Sequence, residues 1–311
     1  MSIVVTGGMG FIGSNIVKAL NDIGREDIYV IDSPKNNSEK NIEGCKFKDI
    51  IVKEKCLESI QNSKFCDLGK IDVIFHEGAI TDTTHPDEDE IMSTNYQLSV
   101  DIFRHCVSHD IRMIYASSAA VYGLGTEGFE VDPDCELPLN TYGQSKLDFD
   151  NFFRRNYDFD SGLQIVGLRY FNVYGPGECH KDNMASPINQ FSRQAMRNGE
   201  IKVFEGSSKF NRDFIHIDDI VDVNMFFFRN PEKMGIYNCG SGETASFQDA
   251  ADIVSSKTDS IINTIPFPKN LEGRYQANTK ADIEMLRRVG YYTQFRKFSD
   301  AAAEYTDFLV G

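Results

Sequence analysis

The strongest constraint on the fold is an alternation of short β-branched runs with helical stretches, opened by Ile3-Val4-Val5-Thr6. Strand-like runs recur at Ile3–Thr6, Ile28–Asp32, Val73–His76 and Met113–Ala116, with helical patterns from about Phe11 and near Glu54 and Glu88 between them. Strands alternating with helices make a parallel sheet, because each strand is carried back to the same edge by a crossover. A helical stretch after Tyr142 and a strand-like run over Leu163–Arg169 continue the pattern to about residue 175. The fold class is therefore α/β, with a doubly wound parallel sheet over 1–175 and a smaller α/β domain over 176–311. Beyond 175, Pro, Gly and polar segments surround helical runs near Asp218–Arg229 and Ser246–Ser255, and Phe298–Leu309 reads as an amphipathic helix. A later return of the chain to the first domain stays open.

The first strand runs directly into Thr6-Gly7-Gly8-Met9-Gly10-Phe11-Ile12-Gly13, which opens a helix. Glycines at 7, 10 and 13 permit a tight turn, close approach of backbone to a pyrophosphate, and close packing of helix on sheet. The helix N-terminus offers amides to the anion. This is the fingerprint of a Rossmann dinucleotide site. Asp32 ends the second strand 19 residues past Gly13, where its carboxylate can take the adenosine ribose hydroxyls. That arrangement suits NAD, but Lys35 and Lys40 follow and either could meet a 2′-phosphate, so NAD and NADP both remain open.

Composition removes other classes. No apolar run approaches the roughly 18 residues of a membrane span. The first strand starts two residues after Met1, leaving no room for a secretory signal, so a cytosolic location is expected. Seven cysteines, an odd and scattered set without a C-x-x-C pair, fit reduced thiols and no metal site. A net charge of −15 with dispersed basic residues argues against nucleic acid.

Tyr142 and Lys146 stand four apart in Tyr142-Gly143-Gln144-Ser145-Lys146, on one face of the expected helix. An ammonium beside a phenol favours the phenolate, so Lys146 is expected to lower the Tyr142 pKa for proton exchange with an alcohol or carbonyl. Ser118 follows the Met113–Ala116 strand on the edge where parallel sheets bind ligands, and its hydroxyl could polarise the substrate oxygen.

With these residues in place, the sequence resembles the extended short-chain dehydrogenase/reductase family of nucleotide-sugar epimerases and dehydratases. The resemblance rests on Gly7–Gly13, Ala116-Ser117-Ser118-Ala119-Ala120-Val121-Tyr122-Gly123, Tyr142 with Lys146, and Arg169-Tyr170-Phe171-Asn172-Val173-Tyr174-Gly175-Pro176. It implies a Rossmann domain with a C-terminal sugar-nucleotide domain, and a catalytic trio at Ser118, Tyr142 and Lys146. Dehydratases of the family carry an acidic pair where this chain has Ala119 and Ala120, so epimerisation is the expected reaction.

His76-Glu77-Gly78-Ala79, the stretch Gly175–Ser186, Phe204-Glu205-Gly206-Ser207, Arg212-Asp213-Phe214 and Gly273-Arg274-Tyr275-Gln276-Ala277 are similar to the branch that epimerises ADP-activated heptose for the lipopolysaccharide core. That branch implies NADP, with NAD possible, a homopentamer, and an ADP-heptose substrate. It makes Lys181 a second acid/base, on the side of the exocyclic carbon opposite Tyr142; phosphate binding is the alternative role. Cofactor contacts carry over onto Gly7, Gly10, Phe11, Ile12, Gly13, Asp32, Ser33, Lys40, Lys53, Glu77, Gly78, Ala79, Asn95, Lys146, Val173 and Lys181. Substrate contacts carry over onto Asn172, Asn183, Gln190, Phe204, Glu205, Gly206, Ser207, Arg212 and Tyr275, with Arg212 as the diphosphate clamp. Ser33, Asn183 and Gln190 depart from the family's usual Asn, Ser and His. A UDP-hexose 4-epimerase, with Lys181 idle, and a non-catalytic NADP(H)-binding sensor are the competing functions.

Overall fold

Apolar residues on both faces of a strand require cover on both sides, and β1 (Ser2–Thr6) is buried along its whole length. The computed structural model describes residues 1–33, 38–53, 68–83, 85–268 and 276–311. Beside β1 run β2 (Ile28–Ile31), β3 (Asp49–Ile51), β4 (Ile71–His76), β5 (Arg112–Ser118), β6 (Ile165–Tyr170) and β11 (Gly235–Cys239). They form a seven-stranded parallel sheet in the order β11-β6-β5-β4-β1-β2-β3, with helices flanking it as expected of a Rossmann-like α/β fold. Strand order reverses at β1, whose neighbours β2 and β4 both run parallel to it. That switch point is where such sheets bind ligands. The helix expected near Glu54 lies outside the described residues.

Two compact units are present. The first takes Met1–Val121, Pro138–Arg169 and Val221–Tyr237, and the second takes Tyr122–Leu137, Tyr170–Ile220 and Asn238–Gly311. A single division at residue 175 is therefore replaced by repeated crossing. The late segment Val221–Tyr237 belongs to the first unit because it brings most of the edge strand β11 to the sheet.

In the first unit, helices Leu98–His109 and Thr141–Asn156 pack through aromatic edges. The Phe103 ring meets Phe149, Phe152, Phe153 and Tyr157 edge-on at 5.5 to 6.4 Å. Such pairs contribute about 0.5–1.5 kcal/mol each beyond their buried area. The helix Thr141–Asn156 starts where it does because the Asn140 side chain accepts the Gly143 N–H at 2.8 Å.

The second unit has its own core. Ile188, Phe191 and Ala195 of the helix Pro187–Asn198 meet Ala250, Ala251 and Val254 of Phe247–Thr258 and Ala301, Ala302 and Tyr305 of Phe298–Val310. These helices lie with the parallel pair β8 (Glu200–Phe204) and β13 (Ile261–Ile265). A capping box, with Ser246 and Asp249 bonding each other's backbone, sets the start of Phe247–Thr258. No described helix is long and apolar enough to cross a membrane.

Candidate active site

The glycine loop is held by sterics. Gly7 has φ +65°, and a Cβ there would stand 2.6 Å from the Gly78 nitrogen; one on Gly13 would strike the Gly7 carbonyl oxygen. Gly10, extended at φ −70° and ψ 179°, is the N-cap of the helix Phe11–Asp22, and having no side chain it cannot itself cap the first-turn amides. A loop whose glycines leave no room for a Cβ, ending on such a helix, fits a dinucleotide pyrophosphate.

Asp32 is aimed by its own neighbours. One carboxylate oxygen accepts the Met9 N–H at 2.9 Å and the other the Ser33 N–H at 2.8 Å. A cavity of about 120 Å³ opens beside it, lined among others by Asp32, Ser33, Lys53, Gly78, Ala79 and Thr94. Five cofactor residues expected from the sequence thus meet around one space. Lys53 donates to the Thr94 hydroxyl at 3.1 Å, which keeps its ammonium at the cavity wall. Lys40 stands exposed on the turn Ser38–Ile42 and does not line the cavity, while Lys35 lies outside the described residues. Thr94, Ile31, Ile80, Leu98 and Ile102 also line it and carried no motif to reveal them.

Between this cavity and the tyrosine helix runs a buried polar chain. Thr6 Oγ1 meets His76 Nδ1 at 2.7 Å, His76 Nε2 meets the Ser99 hydroxyl at 2.9 Å, and Ser99 donates to the Asn95 carbonyl at 2.6 Å. The Asn95 side chain bonds both the N–H and the carbonyl of Ile80, at 2.8 and 2.9 Å, and donates to Ser145 at 3.2 Å. Asn95 sits in a π-helical turn, Met92–Gln97, which interrupts an otherwise regular helix. Its expected cofactor contact is thus joined by a framework role. Burial, with the Lys146 charge adding, holds the His76 pKa down to about 3, so the ring is neutral.

Tyr142, Lys146 and Asp150 follow at successive turns of the helix Thr141–Asn156. A Cβ on Gly143 would lie 2.7 Å from the Ala120 carbonyl oxygen, so only glycine lets this helix close on the segment after β5. That approach brings the Tyr142 hydroxyl to the Ser118 side chain. Burial raises the Tyr142 pKa and the Ser118 hydrogen bond lowers it. The lowering expected of Lys146 is corrected: burial outweighs the opposing effect and leaves the phenol raised, while the ammonium donates to the Ala116 carbonyl at 2.9 Å. Burial brings Lys146 itself down to about 8, against the raising effects of Glu77 and Asp150. Beneath it Asp150 accepts from Tyr115, Ser117 and the Arg169 guanidinium at 2.9 Å, all of them largely or wholly buried.

In the second unit Lys181 lies on the 3-10 turn Cys179–Met184, where burial lowers its pKa and Glu178 raises it. Arg212, in β9 (Asn211–Arg212), places its guanidinium 5.4 Å over the Phe247 ring and donates to the Asn211 carbonyl. Asn172 bonds the Asp213 carbonyl and the Thr279 hydroxyl, and Val173 follows it in β7 (Asn172–Tyr174). Phe204 packs on Phe267 at 5.7 Å, Glu205 and Gly206 are exposed, and Ser207 donates to Gln248. The Gln190 amide holds the Asn183 and Ala185 carbonyls, so it braces the Lys181 segment. Tyr275 lies outside the described residues.

A model of the NAD dependent epimerase/dehydratase family matches residues 3–240, and the chain belongs to that family. It is similar to an ADP-L-glycero-D-manno-heptose-6-epimerase of Brachyspira hyodysenteriae, 46% identical over 310 residues, which are 99% of this chain and 97% of that protein. Among solved structures it is similar to the ADP-L-glycero-D-manno-heptose-6-epimerase of Helicobacter pylori, at 30% identity and TM-score 0.86, covering 99% and 96% of the two chains. A UDP-N-acetylglucosamine 4-epimerase from Methanobrevibacter ruminantium, at 24% identity and TM-score 0.83 over 99% and 98% of the chains, shares the fold.

Proposed function

We propose that this protein is an isomerase interconverting ADP-D-glycero-D-manno-heptose and ADP-L-glycero-D-manno-heptose, by transient oxidation at C6″ and reduction on the opposite face. The observation that carries the reading is 46% identity, across 99% of the chain, to a protein bearing that activity in its name. Ser118, Tyr142 and Lys146 form the trio, with Lys181 as the second acid/base. The glycine loop, Asp32, Ser33 and Lys53 hold the dinucleotide, which when bound supplies a hydride acceptor and donor. NADP is the proposed form, with Lys53 the cation on the cavity wall, and NAD the alternative.

Hydride leaves one face of the carbon and returns to the other, and the reading gives the turning carbonyl oxygen a proton carrier in each of its two positions. Tyr142 serves one, with the Ser118 hydroxyl sharing its hydrogen bond. Lys181 serves the other, and the lowering of its pKa by burial brings an ammonium toward the range where it can release a proton. Lys146 orients the trio from the Ala116 carbonyl. The enzyme is proposed to work in the cytosol, as a homopentamer, on the path to the lipopolysaccharide core.

The test is to denature the purified protein, identify the released dinucleotide by mass, and assay ADP-heptose and UDP-hexose. Release of NADP with turnover of ADP-heptose is the expected result. Release of NAD with turnover of UDP-hexose alone makes it a 4-epimerase instead.

A further inference from the structure

The buried chain through His76 has a direction, and the positions of its atoms fix it. Ser99 Oγ lies 2.6 Å from the Asn95 carbonyl oxygen, too close for two facing lone pairs, so its single hydroxyl proton sits between them. Toward His76, Ser99 can then only accept, and Nε2, 2.9 Å away, carries the ring proton. The ring is neutral, so Nδ1 is bare and must accept. Its donor is the Thr6 hydroxyl at 2.7 Å, and Thr6, having given its proton away, accepts the Gly78 N–H at 3.1 Å. Each proton is used once, from Gly78 to Thr6, His76, Ser99 and Asn95. All four side chains are buried, where a polar group has to be satisfied by the protein.

Both ends of this chain hold the same short loop. Gly78 stands at one end, so close to the glycine turn that a Cβ on Gly7 would lie 2.6 Å from the Gly78 nitrogen. At the other end the Asn95 amide takes the Ile80 N–H at 2.8 Å and gives to the Ile80 carbonyl at 2.9 Å. It also donates to Ser145 at 3.2 Å, and the Ser145 hydroxyl donates to the Tyr142 carbonyl at 2.7 Å. Gly78, Ala79 and Ile80 line the cavity beside Asp32. His76 and Ser99 are not among the residues lining it, so they act on it only through these bonds.

We propose that His76 is the positioning residue of the dinucleotide loop: held as the Nε2–H tautomer, it sets residues 78 and 80 against the glycine turn on one side and the Tyr142 helix on the other. This rests on the dinucleotide reading above. The imidazole is the side chain that accepts at one end and donates at the other across a ring of fixed length. A carboxamide meets only one end: Asn offers Thr6 an acceptor, and Gln offers Ser99 a donor. Hydrogen bonds linked in this way strengthen one another, so a break at either end is felt at both.

Two measurements on the purified holoenzyme test this. Long-range nitrogen-15 NMR of the imidazoles, with His76 assigned by its loss in His76→Asn, is expected to show Nε2 protonated and Nδ1 bare; a proton on Nδ1 overturns the direction of the chain. The second follows exchange of the bound dinucleotide against added carbon-14 NADP, or NAD where NAD is the species released, with the melting temperature recorded beside it. Ser99→Ala and Thr6→Val are each expected to speed exchange about tenfold. Because both act through one ring, the double variant is expected to exchange within about threefold of the faster single. A double variant near the product, about a hundredfold, means two independent contacts and overturns the chain. Ser99→Ala with a lowered melting temperature and wild-type exchange marks packing alone and overturns the positioning role. If Ser99→Ala does not fold, His76→Gln, which loses the Thr6 end, is read by the same exchange, and a wild-type rate there overturns the role equally. A wild-type protein that holds neither NADP nor NAD overturns the dinucleotide reading itself, and the role of His76 falls with it.

Discussion

Tyr142 and Lys181 are proposed for the same task, yet the chain holds them by opposite means. Tyr142 rides a regular sixteen-residue helix, with a side-chain cap at its start, a glycine at its contact and a buried ion pair beneath. Lys181 rides a 3-10 turn with a strained residue after it, Asp182 at φ 47° and ψ −115°, and the buried Glu178 three positions before it. Regular structure positions a side chain through repeating backbone bonds. An irregular turn needs specific side chains to do the same.

The largest test is on the regular side. Tyr142→Phe should lower kcat by at least about a hundredfold, the usual range for a lost acid/base. Dinucleotide retained through purification should stay at the wild-type level; its loss would show that the tyrosine holds cofactor and would blur the contrast. Next, Asp150→Ala strands the Arg169 guanidinium without its carboxylate in a fully buried site. Urea unfolding should report a loss of about 3–5 kcal/mol. A loss below about 1 kcal/mol would mean that the helix is not anchored from beneath.

The third test uses pH. The folded His76 pKa is depressed to about 3, whereas an unfolded histidine titrates near 6.5. Its contribution is full above pH 6.5 and is lost as pH falls toward 3, because the unfolded chain binds a proton that the fold refuses. Between pH 7 and 5 this amounts to about 2 kcal/mol. His76→Asn should flatten that part of the stability curve, and an unchanged slope would dismiss the neutral buried ring. The smallest effect is expected on the irregular side: Asp182→Gly relieves strain and should raise unfolding stability by about 1 kcal/mol in thermal melts. A loss of stability there would show that the Arg193 contact, not strain, dominates.

The sequence made the regular half legible and the irregular half only partly so. Glycines 7, 10 and 13, the β-branched runs and the Tyr142–Lys146 spacing each follow from a local period, and the structure places them as that period requires. Asp32 was readable from its distance to the loop. Gly143 was hidden, since nothing in its neighbours announces an Ala120 carbonyl beside it. Glu178 looked like one more charged loop residue, because burial of a carboxyl group comes from contacts eight and more positions away. The single boundary at 175 was too simple for the same reason, and the later return that the sequence left open is the segment that brings β11 to the sheet from far along the chain.

The π turn at Met92–Gln97 has a further consequence, concerning length rather than residue type. A π turn is a helix with one residue more than its hydrogen-bond ladder needs. Deleting one residue there would restore an unbroken helix, so the element itself would survive. Every side chain before the deletion would then turn by about 100° against those after it. Asn95 could no longer face Ile80 and Ser145 while Ser99 faced His76. Substitutions in this helix test single contacts; a one-residue deletion tests whether the loop over the cofactor cavity and the tyrosine helix are kept in register by the surplus residue.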